Sequence, residues 1–182
     1  MNRHILMVSA SVVALAIGTA ISARNEHALA VPKRPAMSEF HGFEGWSVIA
    51  VSQNGGKIAA IVGNPAIIAA YKSGIPRNGK PFPNGSKMAK VHWIPRNQQT
   101  QPGNPVVPGA LHDVDFMVKD SKRFADSGGW GWAAYEYEAK SGTFRPANLT
   151  DAPPQGNDAK CGYACHTLVK SHDFVFTAYA KR

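Results

Sequence analysis

The chain holds only two cysteines in 182 residues, too few for a disulfide framework. Neither a second Cys/His cluster nor an internal repeat is present, so a four-ligand zinc module and a repeat array are both set aside. Acidic residues are few, 12 against 20 lysines and arginines, which leaves a formal charge of +8. That balance suits an acidic partner, such as an anionic membrane surface or an acidic redox protein. Nucleic acid is not expected as a partner, because the sequence offers no basic helix and no base-stacking motif. Long apolar runs are missing except at the start. Met1-Asn2-Arg3-His4 is followed by uncharged residues from Ile5 to Ser22, a short basic region and an apolar region in the manner of a secretory signal. Ala28-Leu29-Ala30 offers a cleavage site, with a second near Ser22 or Ala23. We therefore expect a signal peptide over 1–30, a periplasmic location, and membrane contact only through that segment before cleavage. An uncleaved anchor is the alternative, since the run is almost long enough to span a bilayer.

Residues 1–30 carry Arg3, Arg24 and Glu26, so their removal takes the charge from +8 to +7. About 150 residues then remain, enough for one domain with a real core. Residues 31–39 are Pro- and Lys-rich and read as a flexible lead-in, with the domain proper over 40–182.

Both cysteines fall in Lys160-Cys161-Gly162-Tyr163-Ala164-Cys165-His166-Thr167. Two thiols and an imidazole next to the second are what covalent attachment of a c-type haem needs. The thiols add to the porphyrin vinyl groups, and His166 becomes the proximal iron ligand. Three residues separate the cysteines instead of the usual two. On a helix, residues three or four apart share a face, so Cys161 and Cys165 can still meet one porphyrin edge. Other uses stand beside this one. A disulfide would close a very short loop, gain little entropy and be strained on a helix. A single metal-ligating or nucleophilic cysteine would leave its partner thiol unexplained.

Five strands are expected: Trp46–Gln53, Lys57–Val62, Lys87–Ile94, about His112–Val118, and Trp130–Glu138. Asn54-Gly55-Gly56 marks a tight hairpin between the first two. A helix is expected from Pro65 to Lys72, with Asn64 as its cap and Ile67, Ile68 and Tyr71 as its apolar stripe. One helical turn is expected over Asp120–Phe124. Arg96–Gly109 and Lys140–Asp158 read as loops. The fold class is α+β: a mainly antiparallel five-stranded sheet with packed helices, and haem c near the C-terminus. Alternation puts Met88, Lys90 and His92 on one face of the third strand, and Asp113, Asp115 and Met117 on one face of the fourth.

Three stretches resemble the cytochrome P-460 family: Phe82–Lys90, Val118–Phe124 leading to Gly128-Gly129-Trp130-Gly131-Trp132, and Cys165-His166-Thr167 with Asp173–Thr177. The resemblance runs from about Phe40 to the C-terminus. It implies a homodimer with one covalent haem c per subunit, its iron on His166. It also implies that Lys90 links its nitrogen to a meso carbon of the porphyrin. A lysine needs to lose its proton for that, and burial beside an apolar macrocycle favours the loss. Asp115 falls where hydroxylamine-oxidising relatives carry a distal glutamate, and would accept protons from the substrate. Ala59 falls where some relatives carry an arginine.

Three functions follow from these readings. The leading one is a periplasmic oxidoreductase that oxidises hydroxylamine, with nitric oxide as co-reactant or product and an external acceptor such as a cytochrome. The second is a nitric-oxide binder without turnover, like the similarly folded cytochrome c′-beta. The third is simple electron transfer, which requires a sixth ligand from His92, His112, Met88 or Met117.

Overall fold

Strands rich in β-branched and aromatic residues, punctuated by glycine-bearing turns, build one antiparallel meander. The computed structural model describes residues 35–147 and 157–180. The signal segment expected over 1–30 lies outside them. Six strands follow one another in space in chain order: β1 (Ser47–Asn54), β2 (Lys57–Gly63), β3 (Lys87–Asn97), β4 (Val106–Lys119), β5 (Trp130–Glu138) and β6 (Thr143–Pro146). Helix α1 spans Pro65–Lys72 and helix α2 spans Asn157–His166. The architecture is α+β, as expected. Among the described residues no helix is long and apolar enough to cross a membrane.

The sheet has six strands, not five. Thr143–Pro146 pairs with β5, although it falls in the Pro-rich stretch Lys140–Asp158 that reads as loop. A four-residue strand with one neighbour tolerates a terminal proline that an inner strand would not. The central hairpin is also longer than its sequence suggests. β3 continues through Pro95, which lies opposite Pro108, with register irregularities on either side of Trp93. Bulges accommodate the proline that would otherwise break a ladder. Gly109 allows the two backbones to close up there, since a Cβ would lie 2.6 Å from the Ile94 carbonyl oxygen.

Gly55 and Gly56 join β1 to β2 with φ of 56° and 73°, the two left-handed residues of a type I′ hairpin turn. Asn64 caps α1: its Oδ1 accepts from the Ile67 amide at 3.1 Å and from the Lys87 amide at 3.0 Å. One side chain thus starts the helix and ties it to β3. A cap of this kind contributes about 1 kcal/mol.

Each face of the sheet carries its own core. Ile49, Ile61, Met88, Met117, Trp130 and Trp132 lie on the face covered by α1, α2 and the C-terminal segment. Val62, Ala89, Val91, Val114, Phe116 and Tyr135 lie on the opposite face, under Phe40 and Phe43. The lead-in expected to be flexible over 31–39 is docked from Pro35 onward. Pro35 is fully buried and its carbonyl accepts from the Tyr135 hydroxyl at 3.0 Å. Phe40 stacks on Phe116 with ring centres 4.0 Å apart. Glu39 meets Arg123 through two bonds of 2.7 and 3.1 Å. The helical turn expected over Asp120–Phe124 is a turn held by Asp120 Oδ1 and followed by a 3-10 turn, Ala125–Ser127.

Candidate functional site

Strand pairing brings the sequence-predicted residues into rows across one face. Ile61, Lys90, Asp115 and Ala134 are successive cross-strand partners on β2, β3, β4 and β5. The next row on one side is Gly63, Met88, Met117 and Trp132; on the other it is Ala59, His92, Asp113 and Glu136. Lys90 and Asp115 therefore sit side by side, between an apolar floor and a polar margin.

Helix α2 leans on this face at β5. Gly162 makes the close approach possible: a Cβ there would lie 2.8 Å from Cγ and Cδ1 of Trp132. That is a packing reason for glycine between the two cysteines. Tyr163 follows, its ring stacked 5.9 Å from Phe174. The His166 ring lies 6.0 Å from Trp132 and 5.0 Å, edge-on, from Phe176.

His166 Nδ1 lies 2.5 Å from the Phe174 carbonyl oxygen. A carbonyl accepts only, so Nδ1 carries the proton and Nε2 keeps its lone pair. Burial holds the ring's pKa below the usual histidine value; the Phe174 bond works against this and nearby Lys90 adds to it. The imidazole is thus neutral with a fixed tautomer, the form in which histidine binds a metal. Cys165, one residue earlier, is exposed. Cys161 lies on the same helix, one turn back, and its side chain is outside the described residues. Among the described residues no group of three or more His, Cys, Asp or Glu is arranged to hold a metal ion. A single correctly tautomerised imidazole at the end of the helix that carries both cysteines fits an iron that brings its own macrocycle.

The cytochrome P460 family model matches residues 40–177. The chain belongs to the cytochrome P460 family. No curated protein matches it. Family membership implies haem binding, and the residues around His166 suit a haem.

Beyond Lys90 and Asp115, the polar margin of the site is a linked set. His92 Nδ1 pairs closely with Asp113 Oδ1 and lies 3.9 Å from Asp115 Oδ2. Asp113 Oδ2 lies 2.7 Å from His112 Nδ1 and 2.6 Å from Lys57 Nζ. Burial lowers the pKa of His92, against the pull of Asp113 and Asp115. Burial would raise Asp113, but the hydrogen bond from Lys57, the facing His92 and the bond with His112 hold it below the usual carboxylate range. Asp115 goes the other way: burial pushes its carboxyl up, with Asp113 adding and His92, Lys90 and Lys57 opposing. Its side chain is nevertheless 54% exposed. Solvent reaches it from one side while protein fills the rest of its surroundings, so the direction holds and screening limits its size.

The candidate sixth ligands are otherwise engaged. Met88 and Met117 are buried in the core, and both histidines face Asp113. The aromatics divide similarly: Trp130, Trp132 and Tyr135 are buried core residues, whereas Trp46 and Trp93 pack partly buried at its margin. A cleft of about 210 Å³ between the end of α1 and the C-terminal segment is lined by Tyr71, Arg77, His172 and Phe176, and by none of Lys90, Asp115 or His166. Sequence reasoning missed the Phe174 carbonyl, a main-chain group, and Gly162, which stood in plain view between the cysteines.

Proposed function

We propose that the chain is a periplasmic mono-haem c oxidoreductase that oxidises hydroxylamine, with nitric oxide as co-reactant or product. Cys161 and Cys165 would hold the haem through thioethers, His166 Nε2 would hold its iron, and Lys90 Nζ would join the macrocycle at a meso carbon. Bound haem supplies an electron acceptor and a coordination position for the substrate nitrogen.

The observation that carries this reading is the carboxyl of Asp115, raised by its surroundings and placed beside Lys90 on the face that α2 covers. Oxidising hydroxylamine releases protons as well as electrons. A carboxylate with a raised pKa is a better acceptor of those protons than an ordinary one. Its neighbour His92, kept neutral by burial, gives its Nδ1 proton to the ionised Asp113 and so fixes the polar side of the site. Met88, Met117 and Trp132 keep water from the floor of the site. Aspartate is shorter than the glutamate of similar enzymes, and the adjacent Asp113 and His92 supply polar groups on its open side.

A homodimer and an external electron acceptor such as a cytochrome belong to the proposal. Leu168 and Phe176, exposed apolar side chains flanking His166, support a partner surface there. Ala59 supports a second reading, a nitric-oxide binder without turnover. It is a buried apolar residue in the row with His92 and Asp113, where an arginine would add a polar group.

Hydroxylamine-dependent reduction of a dye by the purified haem-loaded protein separates the two. Sustained turnover supports the oxidoreductase. Binding of nitric oxide with no dye reduction supports the gas binder.

A further inference from the structure

The Phe174 carbonyl that meets His166 belongs to an unusual turn. Asp173 and Phe174 have φ of 51° and 63°, the left-handed region that a bulky residue such as phenylalanine avoids. Such a conformation persists only where its surroundings over-determine it.

Those surroundings centre on Lys119, which is 5% exposed at the end of β4. Its Nζ lies 2.6 Å from Asp173 Oδ1, donates to the Gly128 carbonyl at 3.0 Å, and sits 5.1 Å from the Trp130 ring centre. Asp173 Oδ2 accepts from the Phe82 amide at 2.8 Å. The ring of Phe174 rests on Gly128, where a Cβ would come within 2.3 Å of it. Every polar arm of the Asp173 carboxylate is thus committed, and the residue after it has nowhere else to point its carbonyl. A buried ion pair is a poor device for stability, since apolar residues of like size do as well. It is a good device for fixing a geometry.

We propose that Lys119 and Asp173 are positioning residues for the iron ligand: their buried pair locks the turn whose carbonyl binds His166 Nδ1, and so sets how strongly the imidazole donates to iron. This rests on the reading of His166 as the proximal ligand. A firm Nδ1–H bond makes the imidazole more basic, which favours ferric iron and lowers the reduction potential.

The test uses the haem-loaded protein and two variants, Asp173→Asn and the double Lys119→Met/Asp173→Asn. Asparagine keeps an acceptor for the Phe82 amide, and the double variant leaves no uncompensated buried charge, so it carries the test if the single one fails to fold. Pyridine-haemochrome spectra first establish the haem content. The expected result is bound haem in each folded variant with a higher midpoint potential and a lower iron–histidine stretching frequency in the ferrous state. Bound haem with both values unchanged would overturn the positioning role alone. A parent protein without haem would overturn the functional reading and this inference together.

Discussion

Lys90 on β3 and Asp115 on β4 are direct cross-strand partners, on the face of the sheet that also receives His166. An amine and a carboxylate held this way serve different ends in the proposed chemistry: one fastens the cofactor, the other takes protons.

Asp115→Asn is expected to bind haem normally and to lose hydroxylamine turnover by about 10²-fold or more, the usual range for a positioned general base. The parent's turnover should rise with pH through a value above the ordinary 3.8, because burial raises this carboxyl and only its ionised form accepts a proton. A pH–rate profile of parent and variant checks both points.

The same carboxyl works against stability. Its folded-state pKa lies above the unfolded value, so the folded protein is favoured while Asp115 is protonated and loses that advantage as pH rises. Asp115→Asn is therefore expected to be more resistant to urea than the parent at pH 7. The difference should shrink as the pH is lowered toward the ordinary carboxylate range.

Glu39 shows the opposite sign. Burial would raise it, but the Arg123 hydrogen bond, the Ala36 amide and the charges of Arg123 and Lys87 hold it below its ordinary 4.5. Arg123→Ala should cost about 1 kcal/mol at pH 7, a partly exposed pair being worth no more. Urea titrations should show that cost disappearing as the pH falls through the depressed pKa of Glu39, where the parent loses the same interaction.

Gly162→Ala sets two effects against each other. Alanine gains about 1 kcal/mol of helix propensity over glycine. The new Cβ would meet buried Trp132 at 2.8 Å, and overpacking of this kind costs about 1–3 kcal/mol. We expect the clash to win, with a lower melting temperature and less haem per chain by absorbance.

The elements that were legible are those whose residues settle their own conformation. Asn64-Pro65 announces α1, Gly55-Gly56 the first hairpin, and the alternation of Met88, Lys90 and His92 the face of β3. Strand β6 was hidden because pairing with β5, not its own composition, makes it a strand. The extra length of β3 and β4 was hidden for the same reason, Pro95 and Pro108 being tolerated only at the bulges where they meet. At the site, side chains with distinctive chemistry could be named in advance. The Phe174 carbonyl could not, because every residue has one and only the left-handed turn aims this one at His166.

The central claim is a haem carried covalently by the Cys161–His166 segment. The most direct test is the intact mass of the matured chain under denaturing conditions, followed by digestion. We predict a chain heavier by one haem, with the added mass on the peptide containing Cys161 and Cys165 and cross-linked to the peptide containing Lys90. An unmodified chain with its two cysteines joined as a disulfide would contradict the account.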